Sequence, residues 1–76
     1  MKKQQLIEKL ESFGLDTSDI LNAKEWSTEK KEDFVGWACS SIQYLSSQAS
    51  FDKEAREGLN IVKAQYELYL IVINEA

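Results

Sequence analysis

Two pairs of carboxylates are spaced to share a helix face, Glu29 with Asp33 and Glu54 with Glu57. Paired carboxylates in a cleft, with pKa values pushed apart, are what general acid–base catalysis requires. Both pairs, however, fall where a helix would begin. Acids there complement the positive end of the helix dipole and sit in water. Nucleophilic chemistry has one thiol, Cys39, and many serine hydroxyls, but the chain contains no histidine to act as base. Nothing near Cys39 in sequence would lower its pKa. It falls beside an apolar stripe, where a cysteine behaves as a small hydrophobe. A lone thiol without histidine builds neither a disulfide nor a zinc site. No glycine-rich phosphate loop, paired-cysteine motif or calcium-loop pattern occurs either. The expectation is a protein that binds, with no enzymatic chemistry, cofactor or metal of its own.

The residues best suited to binding are aromatic. Trp37 and Tyr44 lie seven apart, two helical turns along one side, among Ser40, Ser41, Ser47 and Gln48. Rigid rings among small polar groups have the composition of interaction hot spots. Tyr66 and Tyr69 interrupt an otherwise aliphatic stripe, and a buried tyrosine needs a partner for its hydroxyl. Trp37, Tyr44, Tyr66 and Tyr69 are therefore the candidate partner-binding residues. The competing reading packs Trp37 and Tyr44 against the first helix. It also leaves the two later tyrosines in the core with their hydroxyls reaching water.

Helices must position these groups. There is no proline, glycine occurs only at Gly14, Gly36 and Gly58, and strong helix formers are abundant. Helix one is expected over residues 2–13, burying Leu6, Ile7, Leu10 and Phe13. Gly14 supplies the left-handed stop, and Leu15 folds back onto the last turn. Asp16, Thr17 or Ser18 caps a short second helix over 18–25 that turns Ile20 and Leu21 inward. Ser27 or Thr28 opens helix three, whose buried stripe is Phe34, Ala38, Ile42 and Leu45, flanked by Val35 and Cys39. Gly36 costs about 1 kcal/mol against alanine in a helix interior, which suggests close packing there. The run Ser46-Ser47-Gln48-Ala49-Ser50 is the expected turn, with Ser50 or Asp52 capping helix four. The result is a single all-α domain over residues 1–76, an antiparallel bundle of three main helices and one short one.

Helix four carries two apolar stripes. Ala55, Leu59, Val62, Tyr66, Tyr69 and Ile73 recur at spacings of four and three, while Ile61, Leu68 and Val72 point elsewhere. Residues 68–73 are apolar throughout, so this end needs cover on several sides. A strand over 66–73 is the alternative, but no second segment offers it a partner. A chain of 76 residues has a thin core and gains from a partner subunit. Ile61, Leu68, Ile71 and Val72 are accordingly the expected interface of a homo-oligomer.

A net charge of −4 without a clustered basic face disfavours direct nucleic-acid binding and anionic membrane surfaces. The apolar run is too short to span a bilayer, and the basic N-terminal residues 1–5 precede no apolar signal core. A cytoplasmic location is expected. The segment Gly14–Asp19 is loosely similar to the attachment segment of acyl carrier proteins, which are also small, acidic and helical. Thr17 follows Asp16 where that family has serine, so no function transfers. The leading expectation is an acidic protein-interaction module, acting as adaptor, regulatory subunit or inhibitor. The alternatives are an acidic decoy that blocks the basic groove of a nucleic-acid enzyme, as some small inhibitors encoded by phages or mobile elements do, and an oligomer holding a small ligand between subunits.

Overall fold

The computed structural model describes residues 2–75, and these contain helices and turns but no strand. The elements in chain order are α1 (Lys2–Ser12), α2 (Ser18–Leu21), a 3₁₀ turn (Ala23–Glu25), α3 (Thr28–Gln48) and α4 (Lys53–Ile73). The short helix expected over 18–25 is thus split at Asn22 into one α-turn and one 3₁₀ turn.

Local chemistry sets each boundary. α1 ends in a Schellman motif: Leu15 N–H donates to the Leu10 carbonyl at 3.1 Å and Gly14 N–H to that of Glu11 at 2.9 Å. Gly14 adopts φ +82°, the left-handed conformation this motif needs. The Asp16 carboxylate accepts from Ser18 N–H at 2.9 Å and starts α2. Ser27 Oγ caps α3 by accepting from Lys30 N–H at 3.1 Å. Asp52 caps α4 by accepting from Glu54 N–H at 3.0 Å. The turn falls at residues 49–52, later than expected, because Ser46 and Ser47 remain helical. Ser47 Oγ donates to the Tyr44 carbonyl at 2.7 Å and so stays within the helix's own hydrogen bonding.

α4 is the element against which all the others pack. α3 runs antiparallel along one side of it. α1, α2 and the 3₁₀ turn pack on it near its C-terminal end, α2 meeting the start of α3 there. The two stripes of α4 are thereby both covered from within the chain. Leu68 and Val72 join Leu6, Leu10, Ile20, Ala23, Ala64 and Tyr69 in one buried cluster. Ile61 and Ile71 lie half-buried against it. Of the four residues expected at an oligomer interface, Leu68 is 0% exposed and Val72 2%, so these two side chains have no surface to offer a second subunit.

Since α1 makes no substantial contact with α3, α3 has only α4 to pack against along most of its length. Its fully buried residue is Ala38; Phe34, Ile42 and Leu45 are half-buried, and Cys39 is exposed rather than tucked into the core. A Cβ on Gly36 would meet nothing within 4 Å, so no close packing explains that glycine. Phe13 is also exposed, because the turn at Gly14 carries it off the buried face of α1. At the hairpin tip Gly58 sits against Leu45, and the molecule extends 40 × 26 × 18 Å. Surface ion pairs tie α1 to the end of α4, Lys2 with Glu67 at 3.5 Å and Lys3 with Glu75 at 2.8 Å. Exposed pairs of this kind contribute little, at most about 1 kcal/mol each.

The two neighbours Leu68 and Leu70 separate these contributions. Leu68→Ala should cost about 2–5 kcal/mol in urea unfolding through loss of buried contacts and the cavity left behind. Leu70→Ala, at a side chain 39% exposed, should stay within about 1 kcal/mol of the parent. Equal losses would contradict the placement of the core.

Candidate functional site

Five of the eight aromatic residues form one continuous run of ring contacts. Trp37 lies 5.7 Å from Phe34, and Phe34 meets Trp26 edge-on at 5.4 Å. Trp26 stacks on Tyr69 at 5.8 Å, Phe34 approaches the same ring at 4.8 Å, and Tyr66 stacks beyond at 6.4 Å. These separations lie within the range of favourable aromatic pairing. The run starts at the surface with Trp37 and enters the core at Tyr69, which is 5% exposed.

The four residues singled out in sequence therefore part company. Trp37 and Tyr44 are at the surface, 47% and 67% exposed. They do not pack against α1, which makes no substantial contact with α3. Tyr69 belongs to the buried cluster and reaches the surface only at a shallow pocket beside Val35 and Gly36. Tyr66 is half-buried at the α3–α4 seam, where that partial burial and the neighbouring Cys39 thiol push its hydroxyl above the ordinary tyrosine pKa. The exposed side of α3 presents Gly36, Trp37, Ser40, Tyr44 and Ser47. Trp37 and Tyr44 differ by about 20° around the helix axis, so they stand in line.

At the N-terminal end of this line lies a cleft of about 440 Å³ between α2 and α3. Trp26, Phe34 and Trp37 supply its aromatic surface, and Asp16, Asp19 and Asp33 contribute carboxylates. Lys30 reaches in from the first turns of α3. Its Nζ stands 4.5 Å from the centroid of Trp26 and 3.1 Å from a carboxylate oxygen of Asp19. The indole N–H of Trp26 is buried without an acceptor among the described residues. The three aspartates do not converge as a metal-binding group. Asp16 is held below the ordinary carboxylate pKa by the backbone N–H and then the hydroxyl of Ser18.

Sequence reasoning missed Trp26. It falls between two short elements and belongs to no periodic stripe, so periodicity gives no signal for it. The available signal was its place just before Ser27, the residue that caps α3, where a large apolar side chain is positioned to fold back onto the new helix. The gathering of Asp16, Asp19 and Asp33 was likewise hidden, because each reads separately as a helix-start residue.

Comparison with protein-family models, with curated proteins and with solved structures finds no match for this chain. Among the described residues, no helix is long and apolar enough to cross a membrane.

Two measurements check this geometry. Acrylamide should quench the emission of Trp37→Phe, which retains only half-buried Trp26, markedly less than that of the parent. Equal quenching would place Trp37 inside. Asp16 has a folded pKa below its ordinary value of 3.8, so its contribution to stability is present above that value and is lost as pH falls through the folded pKa. Asp16→Asn should therefore lose less stability on acidification than the parent. Identical acid profiles would show that the Ser18 contact has no energetic weight.

Proposed function

We propose that the protein is a small acidic protein-interaction module, an adaptor, regulatory subunit or inhibitor, whose recognition surface is the open side of α3. The observation that carries this reading is the alignment of Trp37 and Tyr44, both exposed, on one line of a helix that packs mainly against α4. Aromatic side chains of this kind provide large contact areas at small entropic cost. Gly36 supports the same reading. It stands beside Trp37 on the exposed side, weakens α3 by about 1 kcal/mol relative to alanine, and no contact within the chain makes use of it. A glycine there leaves room for close approach by another backbone.

A second copy of the chain is the first partner to test. Self-association would use α3 rather than the C-terminal half of α4, whose second stripe is already covered. An interface centred on rings should tolerate salt, whereas binding through the acidic surface alone would weaken steeply with it.

The experiment is light scattering across concentration at low and high salt, paired with urea unfolding, on the parent, Tyr44→Ser and Gly36→Leu. Tyr44→Ser should keep the parent's stability within about 0.5 kcal/mol, and Gly36→Leu should match or exceed it, while both lower the solution mass toward monomer. A parent that is monomeric throughout rules out the second copy as partner. Destabilisation of several kcal/mol by Tyr44→Ser would show that the ring is structural and overturn the reading.

A further inference from the structure

We infer that the cleft between α2 and α3 receives an arginine side chain from the protein partner, with the chain's own Lys30 as a displaceable occupant. This assignment rests on the interaction reading and names the chemistry at one end of the same surface. Trp37 is common to both, since it stands in the exposed row of α3 and also lines the cleft. A partner lying along Gly36 and Tyr44 therefore passes the cleft mouth.

The cleft combines two means of holding an organic cation. Ring faces attract positive charge through their quadrupole, and carboxylates accept charge-assisted hydrogen bonds. Lys30 shows both at work. Its ammonium lies over the Trp26 ring at 4.5 Å and bridges both oxygens of Asp19 at 3.1 and 3.3 Å. One ammonium, however, serves only one of three carboxylates. Asp16 and Asp33 pair with no cation among the described residues, so the cleft keeps an excess of negative charge. Asp16 stays ionised, because its carboxylate accepts from Ser18.

Shape and chemistry select the guest. A cleft of about 440 Å³ admits a side chain or a small molecule but no helix. The aspartates are too dispersed to close on a metal ion. A guanidinium is planar, stacks on an indole, and donates in its plane toward several acceptors at once. It can therefore lie against Trp37 or Trp26 while reaching Asp16 and Asp33, which a compact ammonium cannot do as well. Lys30 has a half-exposed side chain held by one salt bridge and one ring contact, so its displacement costs little.

Both tryptophans of the chain line the cleft, and intrinsic emission reports directly on its occupancy. The probe is N-acetyl-arginine amide; its citrulline counterpart has nearly the same shape and no charge. The arginine compound should change the emission saturably, with an affinity that falls as salt rises, and the citrulline compound should not. Asp33→Asn should weaken arginine binding about tenfold, the loss of roughly one charged contact. Lys30→Met should strengthen it about threefold or more, because the competing ammonium is gone while the chain length is kept. Equal binding of the two compounds would overturn the assignment. So would weaker binding by Lys30→Met, or no saturation by about 50 mM in both the parent and that variant. Solution mass and stability of the Tyr44 and Gly36 variants are measured without either compound. Failure at the cleft is thereby separated from failure of the α3 surface.

Discussion

Burial of the C-terminal half of α4 from two directions is the constraint on which the rest of the molecule depends. From Ala64 to Val72 this helix presents apolar side chains to α3 and to α1, α2 and the 3₁₀ turn. Leu10 and Leu68 are completely enclosed there, and each fully buried aliphatic side chain contributes roughly 1.5–3 kcal/mol. A domain of this size has little stability to spare, so these few residues supply most of what holds the elements together. The Schellman stop at Gly14 belongs to the same arrangement. It turns the chain so that Leu15 and Ile20 reach the cluster that Leu10 began.

The same constraint explains why α3 is open. With α1 committed to α4, and α2 meeting α3 only near its first turns, no further segment remains to cover the outer side of α3. Its inner stripe is only half-buried beyond Ala38, and Trp37 and Tyr44 face outward. An exposed row of rings is therefore a direct consequence of how a short chain divides its helices around one central element. Whether such a row recognises a partner depends on chemistry the fold leaves accessible, and here that chemistry is aromatic, small and acidic.

The acidic cleft arises from a different cause. α2, the 3₁₀ turn and the start of α3 follow one another within fifteen residues, and each uses polar or acidic residues at its beginning. Asp16 accepts from Ser18 N–H ahead of α2, Asp19 lies in the first turn of α2, and Asp33 follows the first turns of α3. Folding these starts beside one another gathers carboxylates around Trp26 and Phe34. Lys30 then sits where it can offset part of that charge, over a ring and against Asp19. Local rules of helix initiation thus produce a cation-binding environment without any one residue departing from ordinary capping behaviour.

The sequence by itself determined the helices, because their signals are local. Gly14 with Leu15, Ser27, and Asp52 act through neighbours within a few residues, and the apolar spacing of α4 is visible in one dimension. The boundary at residues 49–52 was less legible, since serine serves equally in a last helical turn and in a loop. Tertiary structure alone decided that both α4 stripes were covered, and by what. Leu68 and Val72 look like interface residues in sequence because nothing local shows α1 returning to that side; their burial depends on contacts some sixty residues apart. The site followed the same division. Trp37 and Tyr44 could be named as a pair from their spacing, but their exposure depended on which side of α4 received α1. Trp26 and the three aspartates became a site only through the packing of α2 against α4, a long-range arrangement that capping and periodicity do not encode.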